Sequence, residues 1–225
     1  MIAVMGWLDF LFPKTCVGCG AFENYLCEDC EGKVQYLERQ FCPQCSRPAI
    51  DGRTHPACRR PLGLDGLVSL TFFSFPVNKL IYSFKYRYTT NLLSEIAGKI
   101  TLDKNLVRPL VGGLVPIPLY WQRENDRGFN QSELLGTIYA EKLGLQAENN
   151  LLKRLVKTKS QVGLKRQDRQ ANVKGVFALT RQVHDQNFVV FDDVWTSGAT
   201  LKNATQVLKR NGAGSVWGLT LARSR

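Results

Sequence analysis

Acidic residues are scarce in this chain of 225: 19 Asp and Glu stand against 30 Lys and Arg, a formal net charge of +11. Such a surface favours polyanions, whether nucleic acid, nucleotides or acidic lipid. Long apolar runs are also lacking. The first thirteen residues, MIAVMGWLDFLFP, have no basic flank and are interrupted by Asp9. Neither a signal peptide nor a membrane span is expected there, only a short amphipathic packing segment. Cysteine is absent beyond Cys58. The expected compartment is cytoplasmic and reducing, which excludes a disulfide framework and leaves the seven cysteines as thiols or metal ligands. What remains is 44% hydrophobic, enough for one sizeable core and a small appendage.

The cysteines come in pairs: Cys16-x2-Cys19, Cys27-x2-Cys30 and Cys42-x2-Cys45, with His55-x2-Cys58 completing the series. Such a pair grips one ion from a tight knuckle, and Gly18, Gly20 and Pro43 suit those turns. Two pairs per ion give one tetrahedral site of four thiolates and another of three thiolates and an imidazole. Zinc in these sites is expected to be structural, because protein ligands fill every position and leave none for an activated water. Sequential pairing is the preferred reading, with crossed pairing open and His55 the weakest ligand. A segment this short builds little core, so the metal supplies folding energy. Arg39, Arg47, Arg53, Arg59 and Arg60 lie in or beside it and also allow contact with nucleic acid or a partner protein. The organisation read from this is a double zinc ribbon over residues 1–60, a linker over 61–66 (within RRPLGLDG, Arg59 to Gly66) and a larger domain over 67–225.

In that domain Leu67 to Phe75 reads as a strand, and Asn78 to Tyr86 and Asn91 to Ile100 as helices. Between them SFKYRYTTN interleaves Lys85 and Arg87 with Phe84, Tyr86 and Tyr88, the composition of either a single-strand contact or rings packed on the core. Gly113 to Pro118 is a short apolar strand stopped by prolines. The loop beyond it is a candidate grip for a diphosphate. Asn130 and Glu133 form a capping-box-like pair at the start of QSELLGTIYAEKLGL. Arg127 just before it is a candidate phosphate contact. Leu151 to Val176 is rich in Lys, Arg and Gln, either a closing loop over a leaving group or a solvated surface. Ser215 to Leu221 supplies a last strand.

The most informative stretch is Phe188 to Thr200, FVVFDDVWTSGAT. Four apolar residues read as a buried strand, with Asp192 and Asp193 at its carboxyl end. Thr196, Ser197, Gly198, Ala199 and Thr200 then form a small turn into a helix that carries Leu201, Ala204, Val207 and Leu208 on one side. Strand, loop and helix N-terminus bind phosphate through backbone N–H groups, and Gly198 allows close approach. Two acids beside such a loop make sense if the ligand also presents hydroxyls, as a ribose 5-phosphate does.

This pattern resembles the PRPP-binding signature of type I phosphoribosyltransferases. The order of motifs, from the cysteine ribbon through LVPIP, RENDRGFNQSELL, RLVKTKSQVGLKRQDRQANVKGVF and FDDVWTSGAT, resembles the ComF family of competence-associated proteins over about residues 8 to 221. The resemblance implies a phosphoribosyltransferase-like parallel α/β sheet with helices on both faces behind a zinc ribbon. It also implies handling of single-stranded DNA in natural transformation, with a helicase partner in some organisms. Carried over, the signature puts Asp192 and Asp193 on the ribose hydroxyls, Mg²⁺ between hydroxyls and diphosphate, and Thr196 to Thr200 around the 5-phosphate. Thr196 stands where purine-salvage members carry an Asp base, and no segment reads as a base-recognising hood. Three functions follow: PRPP binding in a DNA-handling protein, active transfer to an unidentified acceptor, or PRPP-sensing regulation. The third is disfavoured, since nothing reads as a helix-turn-helix.

Overall fold

In the computed structural model the described residues are 13–86, 90–101, 103–155 and 175–225. The amphipathic amino-terminal segment, Arg87 and Tyr88 of the basic–aromatic stretch, and most of the basic segment 151–176 lie outside them.

The larger domain is built on five parallel strands. They are β1 (Gly66–Phe72), β2 (Gly113–Pro116), β3 (Gln146–Ala147), β6 (Phe188–Trp195) and β7 (Val216–Arg223), in the spatial order β1-β7-β6-β2-β3. A separate antiparallel pair, β4 (Leu152–Arg154) with β5 (Phe177–Leu179), lies beside them. The central strands read as nearly unbroken apolar runs because both faces are covered. On one face α1 (Val77–Tyr86), α2 (Thr90–Lys99) and, after the short α3 (Trp121–Arg127), α4 (Gln131–Leu143) pack Leu80, Ile96, Leu135 and Tyr139 against Val68, Val189, Phe191 and Leu219. On the other, α5 (Ala199–Arg210) packs Leu201, Ala204 and Leu208 against Val115, Val190 and Val216. This is the type I phosphoribosyltransferase-like sheet with helices on both faces that the resemblance implied.

Trp121–Arg127 forms a short helix ahead of α4, closed by Gly128 at φ 76°. One sequence expectation is corrected. The apolar run Phe188–Phe191 does not end the sixth strand, which continues to Trp195. Pairing explains the extra length: Asp192, Val194 and Trp195 remain in register with Thr220, Ala222 and Arg223 of β7.

The ribbon is joined closely to the sheet. Leu37 N–H donates to the Leu70 carbonyl (2.9 Å), and Phe72 N–H to the Gln35 carbonyl (2.8 Å). The buried Gln40 amide takes both backbone groups of Ser69, donating at 3.0 Å and accepting at 2.9 Å. The outer edge of β1 is thereby paired rather than left open. Glu95 of α2 accepts from the N–H groups of Tyr25 and Leu26, and Lys99 donates to the Leu26 carbonyl and meets Glu31 at 3.1 Å. Cys16, Leu26 and Cys30 share one apolar cluster with α1 and α2.

Candidate functional site

β2 and β6 run parallel, and their last register pair is Pro116 with Phe191. One further bond, Ile117 N–H to the Phe191 carbonyl at 2.9 Å, ends the contact. Pro118 lacks the N–H that would extend the ladder. β6 goes on for four residues, Asp192 to Trp195. The helices following these two strands lie on opposite faces, α4 on one and α5 on the other. A crevice therefore opens at the carboxyl ends of neighbouring strands where the connections diverge, the usual ligand position in open α/β sheets.

Both acids lie at this crevice, within the strand rather than at its tip. Asp192 is half-buried and Asp193 is 7% exposed. One Asp192 oxygen accepts from Ser132 Oγ (3.3 Å) and from the Asp193 N–H (2.9 Å). Ser132 is held there because α4 docks through Tyr139, whose ring meets Phe191 at 5.6 Å, and because Asn130 caps the helix. The Asn130 side chain accepts from Ser132 N–H and donates to the Ile117 carbonyl at 3.2 Å, tying the helix start to the end of β2. Sequence reading missed Ser132; its position two residues beyond a capping Asn was the available signal.

The phosphate-loop candidates follow directly. Thr196 is exposed, Ser197 and Thr200 are half-buried, and Gly198 and Ala199 are buried. Ser197 Oγ accepts from the Ala199 N–H at 3.4 Å. Gly198 caps α5 at φ 72°, a conformation that suits glycine. A Cβ there would also stand 2.2 Å from the Trp195 ring. Trp195 is thus the floor of the loop, with Lys202 over its ring at 5.5 Å, and its role was not apparent from sequence. The N-terminus of the twelve-residue α5 supplies amides and a positive dipole end at this loop. Arg127 is the last residue of α3, and its Nη1 donates to Gln131 at 3.2 Å on the first turn of α4. The structure therefore brings the acids, the loop and α4 to one edge, with Arg127 linked to it through Gln131.

The eight ribbon ligand candidates gather as two quartets, Cys16, Cys19, Cys27, Cys30 and Cys42, Cys45, His55, Cys58. Within each, the ligand atoms lie within 4.8 Å of one another. The grouping is sequential, not crossed. Cys19 and Cys27 sulfurs are 3.6 Å apart and Cys45 Sγ is 3.3 Å from His55 Nδ1. Tetrahedral zinc with its usual bond lengths separates sulfurs by about 3.8 Å, so the residues fit the ion. Gly18 is required by the fold of the first knuckle, because a Cβ would meet Cys30 Sγ at 2.7 Å. In the metal-free fold burial opposes ionisation of Cys16, but the N–H groups of Cys27, Cys19 and Gly18 outweigh it and bring the thiol to about 6. The Arg47 backbone N–H and side chain outweigh burial in bringing Cys45 to about 6 as well. Burial and neighbouring sulfurs push Cys30 up to about 12.

A double zinc ribbon domain family matches residues 7–59. The chain is 31% identical over 208 residues to DNA utilization protein YhgH of Salmonella typhi, covering 88% of this chain and 90% of that protein. Competence protein F of Haemophilus influenzae is 26% identical over 229 residues, covering 89% and 99% respectively. Competence protein ComFC of Bacillus subtilis is 29% identical over 220 residues, covering 90% and 85%. No helix among the described residues is long and apolar enough to cross a membrane. With relatives of this kind along most of its length, and a zinc ribbon built onto a parallel phosphoribosyltransferase-like sheet, the chain belongs to the ComF family.

Proposed function

We propose that this is a PRPP-binding, phosphoribosyltransferase-like protein that handles single-stranded DNA in competence, working in the cytoplasm. One arrangement carries the sugar-phosphate reading: half-buried Asp192 stands at the crevice where β2 stops, and the Gly198 turn follows on the same strand. In this reading Asp192 and Asp193 accept from the ribose 2- and 3-hydroxyls. The backbone N–H groups and hydroxyls of Thr196, Ser197, Gly198, Ala199 and Thr200 donate to the 5-phosphate. Ser132 fixes the Asp192 carboxylate, and Arg127 faces the diphosphate. Carboxylate oxygens are the ligand type that Mg²⁺ prefers, and the ion when bound with PRPP neutralises diphosphate charge. Cys16, Cys19, Cys27 and Cys30 hold one structural zinc; Cys42, Cys45, His55 and Cys58 hold the other.

The DNA reading is supported by the net charge of +11 and by relatives named for competence and DNA utilization. A competence helicase is the partner that the family resemblance implies. A thermal-shift panel of PRPP, nucleotides and single-stranded oligonucleotides, with and without Mg²⁺, tests both halves. PRPP with Mg²⁺ is expected to raise the melting temperature, and absence of any rise overturns the sugar-phosphate reading. Release of diphosphate from PRPP in the presence of an acceptor, lost in Asp192→Asn with Asp193→Asn, would favour active transfer over binding alone.

A further inference from the structure

We propose that an open cleft of about 630 Å³, where the ribbon meets the carboxyl ends of β1 and β7, seats the bases of single-stranded nucleic acid. The assignment rests on the DNA-handling half of the reading above and not on the sugar-phosphate half. Phe73 and Phe75 come from the chain just beyond β1, Ser224 and Arg225 from just beyond β7, and Lys33 and Gln35 from the ribbon.

Two properties of the cleft point to this occupant. The first is aromatic surface left open to solvent. In the lining Phe75 is 40% exposed and Phe73 is half-buried, and beside the lining Tyr82, edge-on to Phe73 at 6.0 Å, is 48% exposed. Ring faces offered beside cations are what unpaired bases stack on, and every base has such a face. A duplex keeps its bases stacked internally and cannot use them. The second is charge. The lining residues include Lys33 and Arg225 and no acidic side chain. Arg225 donates to Gln35 Oε1 at 2.8 Å while its guanidinium lies over Phe72 at 5.4 Å, so its flat face is braced rather than loose. A second copy of this chain would bring like charges together at the same patch, which disfavours self-association there.

The cleft also adjoins the candidate phosphate loop. Ser224 N–H donates to the Trp195 carbonyl at 2.9 Å, and Trp195 is the floor under Gly198. A base in the cleft and a sugar phosphate on the loop would therefore be neighbours along one sheet edge. Phe75 also abuts the first ribbon knuckle: its Cζ lies 3.2 Å from where a Gly18 Cβ would stand.

The test is fluorescence anisotropy of a labelled oligothymidylate titrated with the full chain across a salt series. Phe75→Ala is expected to weaken binding by about tenfold, the usual effect of losing one stacking platform. Lys33→Gln with Arg225→Gln is expected to lower the slope of log affinity against log salt by roughly 1.4, about 0.7 per cation removed from a single strand. Arg108→Gln removes an exposed cation ahead of β2 that is not part of the cleft lining, and is expected to leave the oligonucleotide affinity near wild type. An unchanged zinc content in each variant checks the fold. If the wild type binds and both cleft variants bind equally well, the cleft assignment is overturned while DNA handling survives. If the wild type does not bind at all, the DNA-handling reading itself falls.

Discussion

The ring of His55 is held by the backbone carbonyl of Pro48, with Nε2 at 3.0 Å from that oxygen. A carbonyl only accepts, so Nε2 carries the proton and Nδ1 presents its lone pair towards Cys45 Sγ, 3.3 Å away. This is the outer bond that orients a zinc-ligating imidazole. His55→Ala is expected to reduce zinc from two ions per chain to one, and His55→Cys to restore the second. Elemental analysis of purified variants decides, and an alanine variant that keeps both ions removes His55 from the ligand set.

Zinc retention should fall with acidity. Cys16 and Cys45 ionise at about 6 in the metal-free fold, lower than an ordinary thiol. Depressed values mean the thiolates are present above that pH, and protons compete with the metal as pH drops through it. With Cys30 pushed the other way in the first quartet, no single pH marks the onset, and a chromophoric chelator should extract zinc increasingly fast as the solution is acidified. Extraction independent of pH from neutral to strongly acid conditions would contradict this.

Removing the metal should loosen the sheet as well as the ribbon. Leu37, Gln35 and Gln40 hold the backbone of β1 at Leu70, Phe72 and Ser69. After chelation the Ser69 and Phe72 amides are expected to lose at least about tenfold of their hydrogen-exchange protection. Undiminished protection would mean that the β1 edge survives without the ribbon.

Gly198→Ala tests the loop. The left-handed backbone costs an alanine about 1 kcal/mol or more, before any clash with Trp195 is counted. A clear loss of melting temperature is expected, together with loss of the shift produced by PRPP and Mg²⁺. A stable variant that still responds to PRPP would show that the loop is not the phosphate seat.

Ser132→Ala and Asp192→Asn separate positioning from contact. Asp192→Asn is expected to abolish the PRPP shift. Ser132→Ala removes one hydrogen bond of about 1 kcal/mol and should weaken PRPP binding roughly fivefold. Equal affinity in all three proteins, measured by calorimetry, would remove Asp192 from the binding site.

Much of this was legible in the chain itself. Cysteines separated by two residues form local knuckles, so spacing alone identified the ribbon. Apolar runs ending in prolines or acids marked the two strands that frame the crevice. What spacing could not convey was long-range. Whether the quartets form sequentially or crossed, and the length of β6, depend on partners far along the chain: Trp195 stays a strand residue because Arg223 lies opposite. Ser132 beside Asp192 bridges 60 positions, and no local periodicity reports such a pair. The ribbon looked like an appendage because Gln40 and Ser69 meet only in three dimensions.

The unequal lengths of β2 and β6 also set how the crevice will respond to change. Its mouth is a gap in the sheet, framed by a proline stop on one wall and by a strand locked to β7 on the other. Loop substitutions can alter what the mouth prefers, but they cannot readily close it. Replacing Pro118 with a residue able to carry the ladder onward is the change that would narrow the opening from within.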